Sequence, residues 1–249
     1  MYKDDVIRRD TDIGGRLTNE SDRPRLSTWE DTILTVLEGV KRLSYSQVDR
    51  ITNKLAAEDS ARFVYVNAVA NAYYLKEERR VTIHDDEQYI AYDFPNTVPY
   101  DVAIDLGISC ALDSVSDTSS EIRTITKGSL GDIEYISNGK LFVTKYLNVQ
   151  YPAAAKSTEL KCAKDAAAMH KFLPGISVAD YLPRPIFIVS DNEYTDAILN
   201  RFSDPKLKVS IPYSVAIAKR NVNDGSCTFE YLVDKDNEAA FYESIKDNE

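Results

Sequence analysis

Hydrophobic and polar positions follow their most regular pattern between residues 184 and 245. The apolar run from Ile186 to Val189 lies beside prolines, which is typical of a short strand buried on both faces. A helix at residues 191–202 should follow, because the short polar side chain of Asp191 or Asn192 can cap it. Its apolar positions recur at helical spacing on one predicted face: Tyr194, Ala197, Ile198 and Phe202.

Residues 208–220 then alternate between apolar and polar side chains, which predicts a strand. Pro212 lacks a backbone donor, so we expect this strand to lie at a sheet edge or to be bulged. Residues 223–225 (Asn-Asp-Gly) favour a turn, and residues 226–234 a return strand. A helix at residues 236–245 completes a predicted β-α-β-β-α module, to which we assign residues 156–249.

The first third of the chain is predicted to be an arm followed by helices. Met1–Ser27 has no apolar periodicity, so we expect an extended arm that does not pack in the protein's own core. Residues 28–80 form the predicted helical region. Its first helix begins at Ser27 or Thr28, a second follows a break at residues 44–46, and a third covers residues 59–80.

Residues 81–155 are predicted to be rich in β-strands. One hairpin joins residues 81–84 to 88–92, and a strand is expected at residues 122–126. Asn138-Gly139 favours a type I′ turn in a hairpin from Ile133 to Val143. We expect Ile133, Tyr135, Leu141 and Val143 on one face of that hairpin. Residues 113–121 are polar and predict a mobile loop, and residues 152–171 an alanine-rich helix. The fold class is therefore α+β.

Composition narrows the classes of partner. The net charge of −10 disfavours broad binding to a phosphate backbone, so we expect no sequence-specific nucleic acid. No apolar run is long enough for a membrane helix, and the first residues carry no apolar signal core, so synthesis in the cytoplasm and no membrane partner are expected. The odd number of cysteines (Cys110, Cys162 and Cys227) predicts reduced thiols without zinc.

No group of residues predicts a catalytic, cofactor or metal site. His84 precedes the acidic residues 85–87, but at a hairpin turn solvated side chains are the better interpretation than a metal site. Cys162 and His170 share a predicted helix face about 12 Å apart, too far for a nucleophile and its base. Residues 234–238 lack the glycine and glutamate of a calcium loop and are better explained as a helix cap. We therefore expect no enzyme and no cofactor.

In general style the chain resembles small virion proteins of tailed bacteriophages that form neck or tail rings. The features that carry the resemblance are the polar arm Met1–Ser27, the hairpins at Asn138-Gly139 and at residues 223–225, and the C-terminal module from Pro185. The resemblance implies a head–tail connector or tail protein, made in the host cytoplasm and assembled in many copies in the virion. Contacts with protein neighbours would then involve the arm and the hairpin tips.

The alternative function is a cytoplasmic enzyme or small-ligand-binding α+β protein. Its pocket would lie near residues 186–194, because ligands often bind where a strand adjoins the beginning of a helix. The acidic cap at Asp191-Asn192 would disfavour an anion there, so a neutral or cationic ligand is expected.

Overall fold

The computed structural model describes residues 27–58, 81–84, 88–92, 100–115, 122–124, 131–137, 140–148, 154–160, 162, 182–206, 209, 211–223 and 225–233. Contacts divide the chain into two compact units. Unit 1 comprises residues 1–100 and 117–121, and unit 2 comprises residues 101–116 and 122–249. The predicted arm before Ser27 and the predicted helices at residues 59–80 and 236–245 lie outside the described residues.

Unit 1 begins with two helices, α1 (Ser27–Val40) and α2 (Tyr45–Glu58), joined by the short strand β1 (Arg42–Ser44). The predicted break at residues 44–46 is placed too late, because the first helix ends at Val40 and Tyr45 already begins the second. A reciprocal cap marks that beginning. The Gln47 amide donates to Ser44 Oγ at 3.3 Å, and the Ser44 amide donates to Gln47 Oε1 at 2.9 Å. Strand β1 was not expected, because three residues are too few to show a period.

The predicted hairpin of unit 1 is confirmed as strands β2 (Val81–His84) and β3 (Tyr89–Tyr92), which pair antiparallel. Strand β1 adds to the other side of β3, and the sheet order is β1-β3-β2.

Unit 2 is built on one six-stranded sheet that joins the predicted β-rich region to the predicted C-terminal module. Its strands lie side by side in chain order: β4 (Ile122–Thr124), β5 (Ile133–Ser137), β6 (Lys140–Leu147), β7 (Arg184–Ser190), β8 (Ser214–Arg220) and β9 (Cys227–Val233). Strands β6, β7 and β8 run parallel, and the other neighbours pair antiparallel. Strand β7 is buried from residue 185 to residue 189, as predicted. The α+β fold class is confirmed.

Helix α3 (Val102–Ser114) lies in the region predicted to be rich in strands and was not predicted. Asp101 caps it by accepting from the amides of Ala103 at 2.8 Å and Ile104 at 3.4 Å. The mobile loop predicted from residue 113 is wrong at its start, because Asp113 and Ser114 are helical. Residues 106–112 are buried without a gap, and a short buried run of this kind is compatible with a strand as well as with a helix. Neither α3 nor another described helix is long and apolar enough to cross a membrane.

The sheet of unit 2 curls around α3, which contacts β4, β5, β6 and β9. In a flat sheet β5 and β9 would lie about 19 Å apart, since neighbouring strands are about 4.8 Å apart. Helix and sheet approach closely at Gly107, where an added Cβ would lie 2.6 Å from Ile133 Cγ1 and 2.7 Å from Thr144 Oγ1. Glycine at this position therefore allows the helix to rest on β5 and β6.

The opposite face of the sheet packs on the helical segment 154–160, helix α4 (Thr195–Leu199) and a 3₁₀ turn (Asn200–Ser203). The predicted helix at residues 191–202 is wrong at its beginning, because α4 starts at Thr195. Its N-cap is Tyr194, which makes no side-chain cap bond. The predicted face is half correct: Ile198 and Phe202 pack on the core, whereas Tyr194 and Ala197 are exposed.

Two further expectations are corrected by the sheet register. Strand β8 begins two residues after Pro212 and lies between β7 and β9, so it is not an edge strand. The proline precedes the ladder and removes no bond from it. In the hairpin of β5 and β6, Ile136 pairs with Leu141 and Tyr135 pairs with Phe142. Leu141 and Val143 therefore lie on the face opposite Ile133 and Tyr135.

Candidate functional site

The two ends of the six-stranded sheet carry the features most suited to recognition. We call the end where β6, β7 and β8 begin the amino end, and the end where they finish the carboxyl end. The β5–β6 turn lies at the amino end, because Ser137 pairs with Lys140. The β8–β9 turn lies at the carboxyl end, because Arg220 pairs with Cys227. The seven residues of β8 separate the two ends by about 20 Å.

The amino end holds a cavity of about 210 Å³. Among the described residues, its lining combines apolar rings with two basic side chains and no acidic one: Lys140, Phe142, Arg184, Pro185, Ile186, Pro212, Tyr213 and Ser214. The Tyr213 ring is held by Phe202, on which it stacks at 5.4 Å between centroids, and by Phe187 at 5.6 Å. Since the cavity is basic and partly aromatic, it suits an acidic or neutral group joined to a small apolar one.

The carboxyl end projects the loop of residues 221–226. Its base is closed by two backbone bonds, from the Asn221 amide to the Ser226 carbonyl at 2.8 Å and from the Gly225 amide to the Asn221 carbonyl at 2.9 Å. Gly225 has a φ of 69°, which confirms the predicted turn and its need for glycine. Val222 is 93% exposed on this loop. A lone valine among turn residues was the sequence signal that could have marked this tip.

The β5–β6 hairpin also exposes an apolar side chain near its tip. Ile136 is 45% exposed, although Ile133 on the same strand is fully buried. The register leaves two residues between Ser137 and Lys140, as the predicted turn requires. Asn138 and Gly139 themselves lie outside the described residues. Each end of the sheet therefore presents one exposed aliphatic side chain beside a hairpin turn.

The richest group of polar side chains in unit 2 lies where α3 meets β9. The Tyr231 hydroxyl donates to Asp113 Oδ2 at 3.0 Å and lies 3.1 Å from Ser114 Oγ and 3.7 Å from Cys110 Sγ. Burial raises the pKa of Tyr231 well above the usual tyrosine range, although 39% of the residue is exposed, because its hydroxyl end is turned onto α3. The hydroxyl therefore stays protonated at neutral pH and serves as a hydrogen-bond donor that fastens β9 to α3.

Tyr135 of β5 reaches the same part of α3 from the other side of the curled sheet. It is 1% exposed, and burial is the main cause that raises its pKa above the usual range. Its hydroxyl makes no hydrogen bond within the part of the chain that the structure describes, although Ser114 lies near enough to oppose the rise in pKa. A buried phenol that keeps its proton and has no hydrogen-bond partner among the described residues suits a packing role better than proton transfer.

The structure does not bring the candidate residues of the sequence together. His84 stacks on Tyr89 at 4.4 Å between ring centroids. The Arg42 guanidinium lies over the Tyr89 ring, with Cζ 3.6 Å from the ring centroid. Residues 85–87 and 234–238 and His170 lie outside the described residues. The three cysteines are buried and form no disulfide bond. Within the described ranges, no three His, Cys, Asp or Glu residues are placed to hold a metal ion.

The turn after β7, where the sequence suggested a ligand pocket, satisfies its own polar groups. Thr195 Oγ1 donates to the Ser190 carbonyl at 2.8 Å and accepts from the Asn192 amide at 2.9 Å. The Asp191 amide donates to the Ala218 carbonyl at 2.9 Å. The amino-end cavity includes Ile186 but none of residues 187–194. That cavity therefore lies at the opposite end of β7 from the predicted cap.

No protein-family model, curated protein or solved structure matches this chain. The geometry and charges of the two sheet ends, together with the sequence, therefore carry the functional proposal.

Proposed function

We propose that the protein is a structural assembly protein, and that the complex it helps to form is the head–tail connector or the tail of a phage virion. The observation that supports assembly most directly is the exposure of Val222 and Ile136 beside hairpin turns at opposite ends of one sheet. Isolated exposed aliphatic residues are common on protein surfaces. Here, however, each projects from a hairpin with a fixed register.

The two tips are suited to contact because the strands that carry them are already paired in a fixed register. The β8–β9 loop is closed at its base by backbone bonds, and the β5–β6 turn has only two residues. A rigid tip loses little conformational entropy on binding. Burying a valine or isoleucine side chain fully contributes about 1.5–3 kcal/mol. A contact repeated in every copy of an oligomer would gain this stabilisation many times.

The virion part of the proposal rests on the resemblance to neck and tail proteins of tailed phages. The strands that flank the two hairpin turns, β5 with β6 and β8 with β9, are present among the described residues. Mass spectrometry of particles purified from the natural host tests it. The chain should be found among the virion proteins in a fixed ratio to a tail component, and its absence from intact particles would contradict the virion role.

Sedimentation velocity of the full chain over a wide range of concentration tests assembly. We expect species larger than the monomer, and expect Val222→Ser and Ile136→Ser to reduce them without unfolding the protein. Leu160→Ser is the matched control, because Leu160 is 53% exposed but lies on a helical segment away from both turns. Equal effects of all three substitutions would contradict a special role of the tips, and a wild-type chain that stays monomeric alone and with virion proteins would contradict assembly.

The second candidate function is a small-ligand-binding protein, and the amino-end cavity is the observation in its favour. In this cavity Lys140 and Arg184 would favour an anion, whereas the sequence suggested a neutral or cationic ligand at Asp191-Asn192. Its volume of about 210 Å³ lies below the roughly 300–1,000 Å³ of most ligand pockets. Inorganic phosphate serves as the probe: saturable binding that Lys140→Ala weakens tenfold would support this function, and no binding would exclude simple anions.

A further inference from the structure

We propose that two copies of this chain pair edge to edge, with strand β9 of one copy antiparallel to β9 of the other, so that their sheets become continuous. This inference adds a second kind of contact to the proposed assembly function and rests on that function. Strand β9 is last in the sheet order and pairs with β8 alone among the described strands. A further strand can therefore add along its other side.

The backbone of β9 offers hydrogen-bonding groups on the side away from β8. The Asn221 amide donates to the Ser226 carbonyl at 2.8 Å, which makes these two residues a hydrogen-bonded pair of the β8–β9 ladder. Such pairs recur at every second residue, so the even-numbered residues of β9 bond to β8. The odd-numbered residues, Phe229 and Tyr231 among them, direct their amide and carbonyl groups outward. Within the part of the chain that the structure describes, these groups of Phe229 and Tyr231 have no hydrogen-bond partner.

Strand β9 lacks the bulges, prolines and lysines that commonly protect edge strands from pairing. Its seven residues pair with β8 in an unbroken register, and its sequence is Cys-Thr-Phe-Glu-Tyr-Leu-Val. Tyr231 and Leu232 are 39% and 43% exposed, so apolar side chains accompany the outward-facing backbone groups. The strand at the other edge of the sheet, β4, has only three residues. Of the two edges, β9 is therefore the one suited to receive a strand.

The charge of β9 favours a second copy as the added strand and sets the register. Its only charged residue is Glu230, which already pairs with Lys219 of β8 at 3.0 Å. A two-fold axis through Glu230 would place two carboxylates opposite each other, and like charges in that position are destabilising. An axis through Tyr231 instead places Glu230 opposite Leu232 of the second copy. In that register outward-facing residues still pair with outward-facing residues.

Pairing of this kind has a defined stoichiometry. Both copies use the same surface, so the contact closes at two copies. With the axis at Tyr231, residues 229–233 of the two copies pair and add about six backbone hydrogen bonds. The turns at the two sheet ends lie outside the paired stretch. The exposed tips therefore remain available for contacts with further copies.

Amide hydrogen exchange of the full chain, followed by NMR at two protein concentrations, tests the pairing at single residues. The outward-facing amides of Phe229 and Tyr231 should exchange at least about tenfold more slowly where dimers dominate than in dilute protein. The amides of Thr228 and Glu230 are the matched control, because they bond to β8 and should be protected at both concentrations. Exchange of Phe229 and Tyr231 that does not depend on concentration, although the protein associates, would overturn the edge contact and leave the assembly function in place.

Substitutions of Leu232 test the register. Leu232→Glu places a carboxylate opposite Glu230 of the second copy twice in each dimer, and should raise the dimer dissociation constant about tenfold in sedimentation equilibrium. Leu232→Lys should lower that constant, because it places an ammonium group there. Leu160→Glu and Leu160→Lys are the controls for net charge, since Leu160 is exposed on a helical segment. Equal changes for the two charges at Leu232 would overturn this register.

Two further outcomes separate this contact from the assembly function. Protection of the Phe229 and Tyr231 amides that develops only after virion proteins are added would overturn the second copy as the added strand, in favour of a strand from another protein. A chain that stays monomeric in sedimentation, both alone and with virion proteins, would contradict the edge contact and the assembly function together.

Discussion

The amino and carboxyl ends of the six-stranded sheet differ in shape and in charge. The amino end is hollow and basic, with Lys140 and Arg184 in its lining, whereas the carboxyl end projects the loop 221–226 with Val222 exposed. Both ends are formed by the same parallel strands. Because a parallel strand enters at one end and leaves at the other, the hairpin before β6 and the hairpin after β8 turn at opposite ends. The sheet topology therefore makes the two ends of unit 2 structurally different.

The structure of both ends depends on the packing of helix α3 against the sheet between them. Helix α3 lies in the curl of the sheet, where Gly107 rests against β5 and β6, and Arg220 of β8 pairs with Asp105. Loss of this packing should disturb both ends together. Changes at the tips should instead alter contacts with other copies and leave the fold intact.

The largest expected effect is a difference in stability between variants of a buried and of an exposed isoleucine on the same strand, β5. Ile133 is fully buried against α3 and Ile136 is 45% exposed. Ile133→Ala should lower the free energy of unfolding by about 2–5 kcal/mol through lost burial and an unfilled cavity. Ile136→Ala should change it by less than about 0.5 kcal/mol. Chemical denaturation measures both, and similar losses for the two variants would show that the register of β5 is wrong.

The next effect concerns the contact between α3 and the sheet. Gly107→Leu would place side-chain atoms where Ile133 and Thr144 already lie, and overpacking of this kind costs about 1–3 kcal/mol. Val102→Leu is the control on the same helix, because Val102 is 39% exposed. Thermal unfolding should show a lower Tm for the first variant and no change for the second. An unchanged Tm for Gly107→Leu would contradict the close approach.

A smaller effect is expected from the bond that fastens β9 to α3. Tyr231→Phe removes the donor to Asp113 and should cost about 0.5–1.5 kcal/mol at neutral pH. Tyr135→Phe should be neutral or slightly stabilising there, because the Tyr135 hydroxyl makes no hydrogen bond within the described residues. Denaturant unfolding at neutral pH measures both. A larger loss for Tyr135→Phe than for Tyr231→Phe would contradict these assignments.

The same tyrosines predict how stability depends on alkaline pH. Burial raises the pKa of Tyr135 and Tyr231 in the folded state, so their contribution is complete below the unfolded pKa of about 10. It is lost as the pH rises from there towards the folded pKa, because only the unfolded chain releases the proton. The free energy of unfolding should fall above about pH 10, and less steeply in Tyr135→Phe. Equal slopes for the variant and the wild type would contradict this.

The smallest effect on stability, and a large one on assembly, is expected at the loop. Val222→Ser should leave the free energy of unfolding within about 0.5 kcal/mol of the wild type, since a 93% exposed side chain loses no packing. It should nevertheless reduce association measured by light scattering. A variant that is destabilised and also fails to associate would remove the distinction between tip and interior.

The sequence predicts those elements whose apolar pattern is bounded by turn-forming residues. The hairpins around Asn138-Gly139 and Gly225 could be located from alternation and turn residues, and strand β7 from a short apolar run beside prolines. Helix α3 was not predicted, because the buried run of residues 106–112 is as compatible with a short strand as with a helix. The beginning of α4 was predicted too early, because the hydrogen bonds of Thr195 and Asn192 form a turn in place of the first predicted helical turn.

Less of the candidate site could be predicted, because its residues meet only through the fold. Lys140, Arg184 and Tyr213 are far apart in the sequence and share a cavity because β6, β7 and β8 begin at the same end. Periodicity contains no signal for such a convergence. The exposed valine inside the turn of residues 221–226 was visible in the sequence, but its position opposite the cavity depends on strand direction.

Sedimentation equilibrium of the tip variants tests most directly whether the protein assembles through the two sheet ends. Val222→Ser and Ile136→Ser should each weaken association, because each removes an exposed aliphatic side chain beside a hairpin turn. Leu160→Ser should leave association at the wild-type value, although Leu160 is 53% exposed. Association that the two tip substitutions leave unchanged, or that Leu160→Ser weakens to the same extent, would contradict assembly through the sheet ends.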